Sequence, residues 1–310
     1  MRDDLKQLGS MLEVRNQGMV VVQVGLMTTL YFRGGHRAET QAAVLRCLNE
    51  YLRLAGASLK WSKDPSTFTF HRIASGRVPE PARWLAEIPE GAAWEFEYRG
   101  GDQPEAATPF SIEVVGRADR GKDELSYIKA CLPMTFYTEH GGTFVDLVLA
   151  FCLEIRPFHG YGGLGILESP DESIASDYEP VVLKMARRFP GLEVDYPTSH
   201  IRYLRDGIKG TNWIVVVSDV LITKLNGMGG LRTQLSPEFS FIEYPGGIII
   251  KAGPRPQIGD SEKGLIPKLY VQLARALKPI RITKHRMFHH GGPDRFDRPG
   301  SEAWLQRFDS

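Results

Sequence analysis

Apolar and polar positions alternate along this chain in two different periods, and the switches between them mark out strands and helices. Met19 to Phe32 is a long run rich in Val and Leu and reads as a strand. Gly34-Gly35 turns it, and Val44, Leu45, Leu48, Tyr51 and Leu52 then fall on one face of a helix. Thr67 to Ile73, Trp94 to Tyr98 and Phe110 to Val115 alternate as half-buried strands do, and Ser126 to Tyr137 reads as another. Loops are expected at Val78 to Pro81 and Arg99 to Ala107, where Pro, Gly and polar residues gather. Thr143 with Asp146 three residues on resembles a capping box, which favours a helix over Phe144 to Ile155, with a central strand as the competing reading.

The second half continues the alternation. Phe158 to Leu167 reads as a glycine-punctuated strand, and Tyr178, Val181, Val182, Met185 and Phe189 follow at helical spacing, with Pro180 near the start and Pro190-Gly191 as the stop. Asn212 to Val217 is a short buried strand; Ser218-Asp219 can cap a helix over Val220 to Leu225, and Gly227 can close it in a left-handed turn. Phe239 to Tyr244 and Gly247 to Ala252 form a hairpin across Pro245-Gly246, and a last helix runs from about Leu265 to Lys278. The expected fold is α+β, with two similar-sized halves, each a mixed β-sheet with packed helices. Residues 1–18 would be an N-terminal extension, 19–156 and 157–282 the two halves, and 283–310 a C-terminal tail.

Composition narrows the class. With 310 residues, 42% hydrophobic and 24% charged, the chain has ordinary globular content. Its longest apolar stretches fall short of the roughly 20 residues that a bilayer-spanning helix needs, so no membrane role is expected. The first 18 residues carry no apolar run like that of a signal peptide, and three cysteines, Cys47, Cys131 and Cys152, form no CxxC pair. Both features point to the cytoplasm. Basic and acidic side chains number 38 and 37, which argues against nucleic acid as the main partner.

Chemical motifs are few. Gly160 to Gly165 spells a loose GxGxxG, but it lies within a strand, with no helix opening directly after it to meet a pyrophosphate. Its glycines are better read as close backbone packing. His285 and His289 could form a metal pair at helical spacing, although a polar tail explains them more simply, and neither a metal nor a cofactor is expected. Cys131 or Cys152 with His140 or His159 could in principle supply a thiol and a base, yet both cysteines sit in apolar runs. Glu95 and Glu97 share one face of a strand whose other face holds Trp94, Phe96 and Tyr98, the pattern of a solvent-side charge pair. Charge also segregates: Glu168, Asp171, Glu172, Asp177 and Glu179 occur together without a Lys or Arg between them.

Three blocks, FHGYGGLGI (158–166), DGIKGTNWIVVVSDVLITKLNGMGGL (206–231) and GGIIIKAGPRPQIGD (246–260), resemble the signature blocks of the type VI secretion immunity protein family. LYFRGG (30–35) and LRLAGASLKWSKD (52–64) resemble its amino-terminal block, and the likeness spans residues 20 to 280. The resemblance implies a cytoplasmic, non-enzymatic protein that binds and neutralises a cognate secreted toxin, nucleases being among the toxin classes. It would occlude the toxin's active or substrate-binding site. Gly162, Gly165, Gly210, Asn212, Trp213, Gly253, Pro254, Gly259 and Asp260 are residue types that fix turns, cap backbone groups or anchor a core, so a structural role is expected of them. Toxin binding is expected of the acidic segment Glu168, Asp171, Glu172, Asp177 and Glu179, and secondarily of Glu87, Glu90, Glu95 and Glu97. The rival reading is a hydrolase or transferase with its site near the glycine-rich segment 158–165.

Overall fold

The computed structural model of the chain describes residues 9 and 11–309, except 66, 75–77, 80, 122–123, 139–141, 284, 286 and 289–293. Its frame is one antiparallel sheet of 11 strands. In chain order these are β1 (Val14–Asn16), β2 (Met19–Arg33), β3 (Trp61–Lys63), β4 (Phe70–Arg72), β5 (Trp94–Arg99), β6 (Ser111–Gly116), β7 (Leu125–Leu132), β8 (His159–Glu168), β9 (Ile214–Ser218), β10 (Phe239–Tyr244) and β11 (Gly247–Ala252). Across the sheet the order is β10-β11-β9-β8-β2-β7-β6-β5-β3-β4, with β1 on β2. Where two mixed sheets were expected, one continuous sheet crosses residue 156. Strands from before that residue form one wing, strands from after it form the other, and β2 pairs with β8 where the wings join. The reason lies in β2: its 15 residues offer a ladder to β7 on one edge and to β8 on the other.

One face of the sheet is apolar and carries two helices. On α1 (Ala38–Ala55), Val44, Cys47, Leu48 and Tyr51 recur at helical spacing and are buried. On α2 (Thr143–Ile155), Phe144, Leu147, Val148, Phe151 and Cys152 do the same, which decides the helix-or-strand ambiguity of this segment. The Tyr51 hydroxyl donates to the Cys131 carbonyl at 2.8 Å, tying α1 to the sheet.

The other face is covered by α3 (Glu172–Arg188), by the segment from Leu192 to Gly210 and by the carboxy-terminal residues. Asp171 caps α3, accepting from the Ser173 and Ile174 N–H groups at 3.0 Å. Pro180 therefore lies inside the helix rather than near its start. With both faces covered, β2 and β8 are almost wholly buried, hence their near-continuous apolar or glycine sequences. Beyond α4 (Lys268–Leu277), the segment expected as a tail folds back as α5 (Arg298–Leu305). Phe288, Phe296, Trp304, Leu305 and Phe308 are buried, and burial of that much aromatic surface accounts for the docking. Val14–Asn16, within the expected N-terminal extension, is the strand that pairs with β2. Among the described residues no helix is long and apolar enough to cross a membrane.

Candidate functional site

The covered, second face of the sheet carries charge. In register, Glu97 stands opposite Glu113, Glu113 opposite Lys129, Lys129 opposite Thr29, and Thr29 opposite Tyr161. Residues directly opposite in an antiparallel pair point the same way, so this polar row crosses five strands on one face. Two glutamates directly opposite repel, and the neighbours answer that repulsion. Arg99 Nη1 donates to Glu97 Oε1 at 2.7 Å, and Lys63 Nζ lies 2.8 Å from Glu95 and 4.0 Å from Glu97. The Tyr127 hydroxyl donates to Glu113. Burial, followed by the charge of Glu97, still pushes the Glu113 carboxyl up to about 7.

Asp195 sits over the middle of the row. It accepts from Thr29 Oγ1 at 2.6 Å and from the Tyr161 hydroxyl, and the ammonium groups of Lys129 and Lys209 each lie 3.6 Å away. Burial alone would raise its pKa, but the two lysines and these hydrogen bonds outweigh burial and hold the carboxyl below the usual range.

Beside Asp195 opens a polar cavity of about 280 Å³, in which the carboxylates of Glu97, Glu113, Glu168, Glu172 and Asp195 face the cations of Lys63, Arg99 and Lys129. Here the two acidic clusters of the sequence meet. Glu168 and Glu172 come from the end of β8 and the first turn of α3; Glu97 comes from β5, and Glu95 joins the rim through Lys63.

The other expected contact residues are distributed differently. Asp177, Glu87 and Glu90 are exposed, Glu87 lying 3.9 Å from Arg83. Asp171 caps a helix, as above. Glu179 is fully buried, accepts from the Phe296 N–H at 2.9 Å and lies 3.5 Å from Arg295, so it clamps the carboxy-terminal segment onto α3. Glu97, expected on a solvent side, is 7% exposed because Leu192 to Gly210 and α3 cover that side. Lys129, Glu113 and Asp195 were missed by sequence reasoning. The one available signal was a lone charge in each of two apolar strands, LSYIKACL and SIEVVG.

The motif glycines and their neighbours build the frame. A Cβ on Gly165 would meet Met27 Sδ at 2.0 Å, so this position lets β8 approach β2. Gly162, also paired with β2, faces Phe144 of α2, while Gly210 has open space about it. Asn212 is buried, accepts from the Trp213 N–H at 2.7 Å and donates to the Leu164 carbonyl at 3.4 Å. Trp213 is 1% exposed, stacks on Phe144 and donates from Nε1 to the Gly253 carbonyl at 3.1 Å. Gly253 (φ +84°) and Gly259 (φ +70°) occupy left-handed turns. The Pro254 carbonyl accepts from the Tyr137 hydroxyl at 3.2 Å, and Asp260 lies 3.3 Å from Arg188.

The rival site near 158–165 has different properties. His159 is fully buried within β8; one ring nitrogen lies 3.2 Å from the Leu204 carbonyl, and burial pushes the imidazole down to about 3. Such a ring does not exchange protons near neutral pH. Cys47, Cys131 and Cys152 are buried, and burial raises each thiol above its ordinary value, away from the reactive thiolate. His140 and His289 lie outside the described residues, while His285 packs against His200 and Phe288. Among the described residues no three His, Cys, Asp or Glu side chains gather where they could hold a metal ion.

The chain with this covered β-sheet matches a family of type VI immunity proteins over most of its length. The family model described as "TsiV: Type VI immunity for VRR-NUC" matches residues 43–308, and the chain belongs to that family. The match runs through the carboxy-terminal segment, past residue 280, where the sequence likeness was expected to end. Among solved structures the chain is similar to the Pseudomonas aeruginosa T6SS protein PA0821, with 25% identity and a TM-score of 0.89, over 99% of this chain and 90% of that one. No curated protein matches the chain significantly.

Proposed function

We propose that this immunity protein acts by steric occlusion: it covers the active or substrate-binding surface of a VRR-NUC toxin in the cytoplasm and performs no reaction of its own. The observation that carries this reading is the convergence of Glu97, Glu168 and Glu172 on one cavity where carboxylates outnumber cations. A nuclease presents a basic channel to its polyanionic substrate. An acidic depression both steers that channel into an encounter and competes with phosphate for it. Glu172 is exposed at the mouth of this cavity and Asp177 is exposed elsewhere on α3, and exposed Glu87 and Glu90 form a second, separate acidic rim. Glu179 and Asp171 serve the same surface indirectly, by holding α3 in place.

A toxin that acts inside cells has to be stopped at low concentration, so the dissociation constant is expected at about 1 nM or tighter, near −12 kcal/mol. The test is charge reversal at exposed positions, Glu172→Lys with Asp177→Lys, and separately Glu87→Lys with Glu90→Lys. Each pair is followed by toxin pull-down, cell survival and a melting temperature. The first pair should lose binding and protection while melting like the parent. Full protection by both folded variants at several salt concentrations would refute acidic recognition.

A further inference from the structure

A second charged cavity, of opposite sign, lies on the same face as the first. It encloses about 280 Å³ and is lined by Arg117, Arg120, Arg202 and Arg205, with Glu124 the one acidic lining residue among the described residues. Arg120, Arg202 and Arg205 are exposed and Arg117 is half-buried. Among the described residues no ion pair engages Arg117, Arg120 or Arg202. A guanidinium cannot shed its charge near neutral pH, so Arg117, Arg120 and Arg202 gathered around one small volume repel one another, Glu124 offsets part of that repulsion, and a further anion would relieve the rest. Planar forks of this kind match carboxylate oxygens two at a time.

The two cavities are placed relative to one another by the fold. Glu113, in the acidic cavity, and Arg117, in the basic one, are four residues apart on and just beyond β6, or about 13 Å at the rise of a strand. The connecting segment also serves both, since Asp195 to Ser199 lines the first cavity and Ile201, Arg202 and Arg205 line the second. A nucleic acid laid across this face would gain at one cavity and be repelled at the other. A nuclease active centre has the complementary alternation: carboxylates that hold a divalent cation, set within a basic surface that holds the substrate.

We infer that the arginine cavity is a binding site for carboxylates of the toxin's catalytic centre, occupied when the acidic cavity meets the neighbouring basic surface. The site rests on the occlusion reading above and adds a second, oppositely charged anchor to it. Guanidinium groups seated on those carboxylates stand where the toxin's metal ion would stand, so the bound toxin is both covered and deprived of its metal.

The experiment titrates the VRR-NUC toxin paired with this chain against the wild-type protein and against the triple variant Arg120→Ala, Arg202→Ala, Arg205→Ala. Each titration is run in chelator and again with millimolar Mg²⁺, with melting temperatures recorded for both proteins. The triple variant should melt like the parent and bind at least tenfold more weakly in chelator. Mg²⁺ should weaken binding of the wild type and leave that of the variant unchanged. Equal affinities in chelator, or equal sensitivity to Mg²⁺, overturn the inference while leaving occlusion intact, provided the wild type still binds and protects. No complex with the wild type overturns both readings. Binding of duplex DNA by the wild type without toxin, lost in the triple variant, would assign the cavity to nucleic acid and overturn the inference as well.

Discussion

Lys209 and Glu193 meet with Nζ 2.8 Å from Oε1 in the interior, where Lys209 is 1% and Glu193 3% exposed. The ammonium also lies 3.6 Å from Asp195 and over the rings of Tyr161, Phe288 and Trp304 at 5.1 to 5.4 Å. Glu193 in turn lies 3.5 Å from Arg307, near the end of the chain. The pair thus links the polar face of the sheet to the carboxy-terminal segment. Removing one member leaves the other buried with only its longer charged contact, Glu193 with Arg307 or Lys209 with Asp195, which costs up to about 3–5 kcal/mol. Lys209→Met should lower stability by that amount in chemical denaturation, and adding Glu193→Gln should recover part of it. Strictly additive effects would show that the two charges are not coupled.

Trp213 is expected to act through stability. It closes the core between Phe144 and Tyr137, with ring centroids 6.3 and 5.5 Å away, and bonds to the Gly253 carbonyl. Trp213→Ala should cost about 3–5 kcal/mol as a large core truncation. Trp213→Phe, which keeps the ring and loses the hydrogen bond, should cost less. A Trp213→Ala variant that melts like the parent yet fails to protect would place this residue in the toxin contact instead.

Glu113 gives stability a pH dependence of a particular sign. Its folded value of about 7 exceeds the ordinary value near 4.3, so between the two the folded state holds a proton that the unfolded state has released. The contribution is fully present below about pH 4.3 and is lost as pH rises through about 7. Glu113→Gln can still accept from the Tyr127 hydroxyl and removes the titration. The stability of Glu113→Gln relative to the parent, measured by urea unfolding, should be greater at pH 8 than at pH 4; a constant difference would contradict the assignment.

His159 works in the opposite direction. Burial holds its imidazole at about 3, below the ordinary 6.5, so the unfolded state binds the extra proton between those values. Stability from this residue is present above about pH 6.5 and is lost as pH falls towards about 3. His200, lowered first by burial and then by Lys209, adds to the same trend. His159→Leu should be less stable overall yet show a flatter decline between pH 6.5 and 4, and an unchanged slope would refute the neutral buried imidazole. Between about pH 4.3 and 6.5 this trend runs against that of Glu113, so Glu113→Gln should sharpen the decline in acid.

Local periodicity made several elements readable from the chain alone. β2, α1, the β10–β11 hairpin and α4 each occur where alternation or helical spacing marks them, because their burial follows from residues a few positions apart. Asn212, Trp213, Gly253 and Gly259 could be singled out for a similar reason: amide, indole and glycine in a turn context suit capping, core and turn positions. The sequence also located the acidic clusters, but only tertiary structure brought Glu97 to Glu168 and Glu172, buried Glu179 against Phe296 and joined both wings into one sheet. Alternation along a strand states that Glu97 points away from Trp94, Phe96 and Tyr98; it does not state what lies on that other side. Here a segment about 100 residues further along covers it, and whether a charge is solvated or enclosed depends on that long-range packing, which leaves no mark in the local pattern of either segment.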